Sequence, residues 1–213
     1  AGARCAAMPA MAAEKTRIAV VGAGHVAQVA HIPAYRANPD AELVAIVDYD
    51  PVKAKRIKAQ FGFHEWYDDF NTMLRKSNVH AVDICTPNYL HAPMAIAALR
   101  SGRDVMCEKP MARNAKEAQQ MVDAAESNDR ILMVAMNNRF RDDAQMLQKF
   151  VGANELGEIQ IIKAGWLRRA QEWKDRAWFT EQKKSGGGAL LDLGTPLVDL
   201  CMWITSLQGS AAV

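Results

Sequence analysis

The sequence predicts an α/β fold built on a doubly wound parallel sheet. Short apolar runs rich in β-branched residues alternate with segments of helical spacing, and a glycine-rich turn directly follows the first run. The predicted strands cover 18–21, 41–47, 64–67, 80–85, 104–107 and 131–135. Strands that alternate with helices in this way pair in parallel through right-handed crossovers, with helices on both faces.

The turn after the first strand has the pattern of a dinucleotide-binding loop. Residues 22–27 read GAGHVA, which fits G-x-G-x-x-A and precedes a segment of helical spacing. Gly22 permits the tight turn, Gly24 lets the backbone approach a pyrophosphate, and Ala27 lets the helix pack closely on its strand. The phosphates would then lie on free N–H groups at a helix N-terminus. The alternative is a strand-to-helix turn that binds no ligand.

A second element favours the dinucleotide interpretation. The run 41–47 ends on Asp48, about twenty residues after Gly24, where a carboxylate can accept hydrogen bonds from the ribose hydroxyls of an adenosine. No arginine stands beside Asp48 to bind a 2′-phosphate, so the sequence predicts NAD and makes NADP less favoured. The alternative is an ordinary aspartate of a strand-end turn.

Composition and charge narrow the class of protein. The 213 residues are 50% hydrophobic and 23% charged, the profile of a globular protein with a substantial core. The formal net charge of +2 gives no basic field for nucleic acid, and no polybasic tract is present. The four cysteines form no C-x-x-C pair and are expected to be reduced, which favours the cytoplasm. The five histidines show no metal-ligand spacing, so no metal site is predicted.

Two further features concern targeting. Residues 1–14 are alanine-rich, lack the apolar block of an export signal, and are expected to be a disordered leader outside the fold. No unbroken apolar run approaches the roughly 18 to 20 residues of a membrane helix, so no membrane partner is expected.

Polar or glycine residues follow four of the predicted strands. They are Gly22 and Gly24, Asp48, Thr86 and Asn88, and Glu108 and Lys109. Because ligands of parallel sheets bind beyond the carboxyl ends of the strands, these residues are expected to meet in one crevice.

Several motifs, in order and spacing, resemble the Gfo/Idh/MocA family of NAD(P)-dependent oxidoreductases. They are GAGHVA, VDYDP, CTPNYLHAPMAIAAL, CEKPMA, NNRF and GGGALLDLG, and the resemblance runs from about residue 16 to the end. It implies a Rossmann domain followed by an α/β substrate domain whose open, mostly antiparallel sheet often mediates oligomerisation. It also implies hydride transfer between a polyhydroxylated substrate and nicotinamide.

The resemblance also implies a domain division. The Rossmann domain is expected at 15–137 and a partial substrate and oligomerisation domain at 138–213. The second domain should contain a helix after Arg141, a strand at 159–167, and another helix entered through the glycines at 186–188. Family members are ordinarily much longer, so a truncated or fragmentary chain is expected.

Two residues are implied as catalytic. By resemblance, Lys109 of the E-K-P motif bonds the reacting oxygen and can act as the base, and Asp192 orients the substrate and the lysine. The alternatives are a surface lysine before a turn proline and a solvated or capping helix aspartate. The family's D-x-G-x-H pattern ends here on Pro196, which has no side-chain proton acceptor, so Lys109 itself is expected to take the proton. Thr195 and Pro196 either cap and start a new helix or kink a continuous one.

The remaining predicted contacts are to the cofactor. The full set is Gly22, Gly24, His25, Val26, Asp48, Thr86, Pro87, Asn88, His91, Glu108 and Lys109. His91 either leans toward the nicotinamide or packs on the sheet, and the plain interpretation of His25 and His31 is helix surface or packing. A substrate pocket could also use arginines and tryptophans of the second domain, or these could be surface residues: Arg139, Arg168, Arg169, Arg176, Trp166, Trp173 and Trp178.

Two functions remain open from the sequence. The first is an NAD-dependent dehydrogenase of sugars, polyols or cyclitols. The second is a dinucleotide-binding sensor or inactive relative, which Pro196 favours. Retention of Lys109 favours the enzyme, because a sensor does not need a lysine at the hydride-transfer site.

Overall fold

A computed structural model describes residues 14–167, 178 and 181–205 of the chain. Its central feature is a parallel sheet of six strands in the order β3-β2-β1-β4-β5-β6. The strands are β1 (Thr16–Val21), β2 (Ala41–Val47), β3 (Glu65–Tyr67), β4 (Ala81–Ile84), β5 (Asp104–Cys107) and β6 (Leu132–Val134). All six predicted strands are therefore confirmed, and the strand order is that of a doubly wound dinucleotide-binding sheet.

Eight α-helices lie within the described residues. They are α1 (Ile32–Ala37), α2 (Pro51–Phe61), α3 (Phe70–Lys76), α4 (His91–Arg100), α5 (Ala115–Ser127), α6 (Asp142–Gly152), α7 (Gln182–Ser185) and α8 (Thr195–Ile204). Shorter 3₁₀ segments cover Asn88–Leu90 and Asn137–Phe140, and π-helical turns cover Ala27–His31 and Leu190–Gly194. Local chemistry sets several ends. Asp50, for example, caps α2 by accepting from the N–H groups of Val52 and Lys53, and Gly62 ends it in the left-handed region.

Alternate residues of β1 face two separate hydrophobic cores. Ala19 and Val21 pack on one face with a cluster that includes Leu99 of α4 and Met121 of α5. Ile18 and Val20 pack on the other face with a cluster that includes Ile32 and Ile57 of α1 and α2. Because successive side chains of a strand point to opposite faces, a run buried on both sides is apolar throughout.

The predicted strand at 159–167 is wrong. No strand is assigned over 158–167, and every residue there is exposed. A strand needs a neighbour for its backbone N–H and C=O groups, whereas β-propensity alone does not supply one. The β-branched residues of this segment have no partner strand among the described residues.

The segment after Glu181 is attached to the sheet domain by specific contacts. Asn88 Nδ2 donates to the Ser185 carbonyl at 2.8 Å, and Arg113 Nη1 donates to the Lys183 carbonyl at 2.7 Å. Gly186 has φ +87°, and a Cβ there would lie 2.7 Å from Arg113 Cβ, so this close approach requires glycine. The contacts bring the segment over the carboxyl edge of the sheet.

The stretch Gln182–Ile204 is, by length and composition, apolar enough to cross a membrane. The sequence predicts no membrane helix when only unbroken apolar runs are considered, and this stretch is interrupted by polar residues. Bends at 186–188 interrupt the helix, and two acidic residues inside it, Asp192 and Asp199, pair with Lys109 and Arg139. These pairings connect the stretch to the sheet domain and to the 3₁₀ segment Asn137–Phe140, although only 6% of its apolar window is buried.

Candidate cofactor and active site

The predicted crevice is a cavity of about 1220 Å³ at the carboxyl ends of the strands. It lies where the strand order reverses between β1 and β4, the position at which such sheets bind ligands. Ten of the predicted cofactor contacts line it: Gly22, Gly24, His25, Val26, Asp48, Thr86, Pro87, Asn88, Glu108 and Lys109. Trp178, Lys184 and Asp192 line it from the second part of the chain.

The glycine turn places the backbone close to β4. Gly22 has φ +93°, and a Cβ there would lie 2.7 Å from the Cys85 carbonyl oxygen, so both conformation and space require glycine. Around Gly24 the nearest protein atom to such a Cβ is the same carbonyl oxygen, at 4.0 Å. The space beside Gly24 is therefore open to the cavity rather than filled by the protein.

Asp48 ties the glycine turn to the end of β2. It is 6% exposed, its Oδ2 accepts from the Ala23 N–H at 2.9 Å, and its Oδ1 accepts from the Asp50 N–H at 3.1 Å. Lys53 Nζ lies 2.6 Å from Oδ2. Lys53 was not predicted from the sequence. Its position in the first turn of α2, five residues after Asp48, could have indicated that the two side chains meet.

The residues at the cavity fit a dinucleotide. The helix that follows the glycine turn starts at His25, and the first N–H groups of a helix have no intrahelical acceptor. Thr86 lines the same cavity, and its Oγ1 is buried and has no hydrogen-bond partner among the described residues. Free backbone donors and an unpartnered hydroxyl suit a diphosphate and a ribose or amide group.

Lys109 and Asp192 meet across 83 residues of sequence, as predicted from the resemblance. Lys109 Nζ donates to Asp192 Oδ1 at 2.8 Å and to the Asp192 carbonyl at 3.0 Å. The two side chains are 29% and 24% exposed, so the pair lies at the cavity wall. The Lys109–Pro110 peptide bond is cis.

Pro196 explains why the Asp192 carbonyl can accept from the lysine. In an α-helix this carbonyl would bond the N–H four residues later, and proline has none. The helix does not restart at Thr195 but continues from the π-helical turn Leu190–Gly194 into α8, with Gly194 helical at φ −76° and ψ −40°. Thr195 Oγ1 bonds back to the Leu191 carbonyl at 2.7 Å rather than capping a new helix. The predicted new helix capped by Thr195 is therefore wrong, and the structure has the continuous helix of the other alternative, with a π-helical turn before Pro196.

Glu108 connects the cavity to a buried histidine. Its Oε2 accepts from the Lys109 N–H at 3.0 Å, and its Oε1 lies 2.9 Å from His31 Nε2. The other ring nitrogen, His31 Nδ1, lies 2.8 Å from Asp83 Oδ2. Burial lowers the pKa of His31, but its partners Asp83, Cys85 and Glu108 raise it by more, to about 12.

His91 occupies a similar position on the other side of the same turn. It is 1% exposed and does not line the cavity. Its Nδ1 lies 2.8 Å from the Pro110 carbonyl and its Nε2 lies 2.8 Å from the Thr86 carbonyl. Burial lowers the pKa of His91, although both carbonyls oppose this. The structure therefore places His91 against the sheet.

The cluster of His31, Asp83 and Cys85 was not predicted. Their ligand-type atoms lie within 4.8 Å of one another, although the sequence showed no metal-ligand spacing. An aspartate inside the apolar run 80–85 was the one available signal. Both ring nitrogens of His31 already face carboxylates, so the ring serves as a donor here.

Some predicted substrate contacts lie outside the described residues, namely Arg168, Arg169, Trp173 and Arg176. Arg139 Nε donates to Asp199 Oδ2 at 2.8 Å and so joins the short 3₁₀ segment to α8.

Family comparison matches two models to the chain. Residues 16–136 match an oxidoreductase family with an NAD-binding Rossmann fold, and residues 144–211 match the GFO/IDH/MocA C-terminal domain. The sheet domain is thus an NAD-binding Rossmann fold, and the segment Gln182–Ile204 falls within the second matched domain.

Two similar proteins are sugar dehydrogenases by name. D-Glucoside 3-dehydrogenase of Escherichia coli is 34% identical over 96% of this chain and 58% of its own length. Levoglucosan dehydrogenase of Pseudarthrobacter phenanthrenivorans is 29% identical over 90% of this chain and 51% of its own length. This chain therefore spans about half the length of the curated relatives it matches.

Solved structures agree with the fold. The WlbA dehydrogenase of Bordetella pertussis, solved with NADH and UDP-GlcNAcA, has a TM-score of 0.81 and 28% identity, and the match covers 92% of this chain and 56% of that one. A levoglucosan dehydrogenase solved with NADH and levoglucosan has a TM-score of 0.78 and 28% identity, covering 90% and 54%.

Proposed function

We propose, since the chain belongs to the GFO/IDH/MocA oxidoreductase family, that it is an NAD-dependent dehydrogenase of a sugar, polyol or cyclitol hydroxyl. The observation that carries the proposal is the position of Lys109, whose ammonium lies at the wall of the cavity and is held by two oxygens of Asp192. The relatives named as D-glucoside and levoglucosan dehydrogenases support this substrate class.

The cavity residues suit NAD in particular. The bound cofactor would supply a nicotinamide carbon that accepts or returns a hydride. The glycine turn and the helix that begins at His25 would hold the diphosphate, and the Asp48 carboxylate would hold the adenosine ribose. Asp48 already accepts from the N–H groups of Ala23 and Asp50 and contacts Lys53, but a carboxylate offers about four acceptor sites, so one ribose hydroxyl can still bind.

Lys109 would manage the proton of the reaction. In oxidation the carbinol C–H electron pair would pass to the nicotinamide carbon as hydride, and the hydroxyl proton would pass to Lys109 Nζ once the ammonium has released a proton to solvent. In reduction the charged lysine returns this proton to the carbonyl oxygen. Asp192 keeps Nζ in place in both directions. Pro196 occupies the position of the family's usual histidine, so the lysine has no imidazole to share this step with.

The proposal extends to organisation and setting. We place the Rossmann domain at 15–137 and the partial substrate domain at 138–213, and we expect a cytoplasmic protein that assembles with copies of itself through the second domain. The near-neutral net charge of +2 and the two buried free cysteines, Cys85 and Cys107, support a small-molecule enzyme in a reducing compartment.

Titration with NAD, followed by a screen of sugars, polyols and cyclitols for NADH absorbance, tests the proposal. On a confirmed substrate, Lys109→Met should lower kcat roughly 10²- to 10⁴-fold, because it removes the proton-transferring group, while NAD still binds. Lys116→Met, an exposed lysine on α5, is the matched control and should keep the full rate.

A second candidate function is a dinucleotide-binding sensor without turnover, which the proline at position 196 favours. Tight NAD binding with no reduction on any substrate would support the sensor. Full activity in Lys109→Met would instead show that another group transfers the proton, and failure to bind NAD would contradict both functions.

A further inference from the structure

A buried triad lies beneath the E-K-P turn, and of its three members only Glu108 lines the cavity described above. His31 on the π-helical turn before α1 sits between Asp83 of β4 and Glu108, which follows β5. The side chains of His31 and Asp83 are 7% and 1% exposed, and that of Glu108 is 16% exposed.

The charge of the ring follows from its partners. A neutral imidazole has one N–H and one acceptor nitrogen, whereas both ring nitrogens here lie within 2.9 Å of carboxylate oxygens. Two anions therefore require two N–H donors, which only the imidazolium provides. The pKa of His31, about 12, agrees with this geometry.

The other titratable groups that face the triad are uncharged. Burial raises the pKa of the Cys85 thiol to about 12 and raises the pKa of Cys107 and of Tyr35 above their usual values. The Tyr35 hydroxyl keeps its proton and donates it to Met106 Sδ at 3.3 Å. The imidazolium thus supplies one positive charge against the two carboxylates of Asp83 and Glu108.

The triad reaches the cavity through a single carboxylate. Glu108 Oε1 contacts His31, and its Oε2 receives the Lys109 N–H at 3.0 Å. Because a carboxylate is rigid, a contact that holds Glu108 Oε1 also sets the direction of Oε2. The backbone from which the Lys109 side chain extends is therefore held by the buried ring.

We propose that His31 is a positioning residue for Lys109: its imidazolium, seated on Asp83, orients Glu108 so that the E-K-P turn presents Lys109 Nζ to the cavity. The activity readout of this inference rests on the proposed function. The spectroscopic readout does not, because it reports the ring charge and the Lys109 amide directly.

Nuclear magnetic resonance of the full chain tests the charge. We expect both His31 ring nitrogens to carry protons from about pH 6 to about pH 9. In Glu108→Gln the pKa of His31 should fall by about 1 to 3 units, because one of two anions is lost. An unprotonated His31 nitrogen at pH 7, or tight zinc binding at His31, Asp83 and Cys85, would overturn the proposal.

Kinetics and the Lys109 amide signal test the positioning. His31→Gln should move the Lys109 amide resonance and lower kcat about 10- to 100-fold, with the KM for NAD little changed, because misplacement affects the chemical step. Glu108→Gln should act on the same step, and the double variant should lose no more than the worse single one. His64→Gln, an exposed histidine beside Glu42, is the control and should change neither.

The possible failures are distinguishable. If the protein turns over no substrate, the proposed function fails, and the ring charge and the Lys109 amide still decide the inference. If His31→Gln does not fold, Glu108→Gln supplies the same readouts. An unmoved Lys109 amide, or additive losses in kcat, would show that His31 has a purely structural role.

Discussion

The turn at 108–110 is held on two sides by buried histidines whose surroundings differ in one respect. Each ring lies between two oxygen atoms at 2.8 to 2.9 Å, but those around His31 belong to carboxylates and those around His91 belong to backbone carbonyls. The pKa of His31 is raised to about 12, whereas that of His91 is lowered by burial.

The difference in pKa follows the charge of the acceptors, since the number of contacts to oxygen is the same at the two rings. Burial disfavours the imidazolium at both places. Two full negative charges overcome this effect at His31, and two carbonyl dipoles do not overcome it at His91. The same turn is therefore anchored by an ion cluster on one side and by neutral hydrogen bonding on the other.

The largest expected effect is on the ion cluster. His31→Gln removes the cation and leaves two carboxylates partly uncompensated in a buried site, which should lower the free energy of unfolding by about 3 to 5 kcal/mol at pH 7. Urea denaturation followed by circular dichroism measures this change. A loss below about 1 kcal/mol would mean that the carboxylates are not held as ions.

A smaller loss is expected at the neutral side. His91→Phe keeps the ring volume but removes the one N–H that the neutral ring can donate to the carbonyl of either Thr86 or Pro110, which should cost about 1 to 3 kcal/mol. The same denaturation series measures it. If this variant were destabilised more than His31→Gln, the contrast between ionic and neutral anchoring would be wrong.

A third effect is a pH dependence of opposite sign at the two sites. Above pH 6.5 the native chain keeps a proton on His31 that the unfolded chain has lost, so stability falls as pH rises from about 6.5 toward about 12. Below pH 6.5 the unfolded chain binds a proton that native His91 does not, so stability falls on acidification. The stability curve therefore has an alkaline limb above pH 6.5 and an acid limb below it. On each limb one ring can change the free energy of unfolding by at most about 1.4 kcal/mol per pH unit.

Denaturation midpoints measured from about pH 5 to about pH 9 check these slopes. His31→Gln should flatten only the alkaline limb, and His91→Phe only the acid limb. A variant that flattened the opposite limb would reverse the assignment of charge to the two rings.

The sheet could be predicted from the sequence because its signals are local. A run such as 18–21 must be apolar throughout when both faces are buried, and Asp48 marks the end of the next strand by its spacing from the glycine turn. Signals of this kind need no knowledge of distant residues. The strand predicted at 159–167 is wrong because its signal was only β-branched composition. Composition does not show whether a neighbouring strand exists to pair with it.

The site was only partly predictable. The meeting of Lys109 with Asp192 followed from the family resemblance, since no local pattern joins residues 83 positions apart. The contacts of His31 with Asp83 and Glu108 depend on which strands are neighbours and on which helix covers them, so the sequence read in order gave no sign of them. Only an aspartate inside an apolar strand hinted that a buried cation would be needed.

Proline at position 196 changes which substitutions can break the hydrogen bonds between Lys109 Nζ and residue 192. One of the lysine's two anchors is a main-chain oxygen, which no exchange of the Asp192 side chain can delete. Truncating the Asp192 side chain would leave the hydrogen bond from Lys109 Nζ to the Asp192 carbonyl. The lysine would therefore lose its counter-ion but keep one of its two hydrogen bonds to residue 192. Only a residue at 196 that brings back an amide hydrogen could draw that oxygen into the helix.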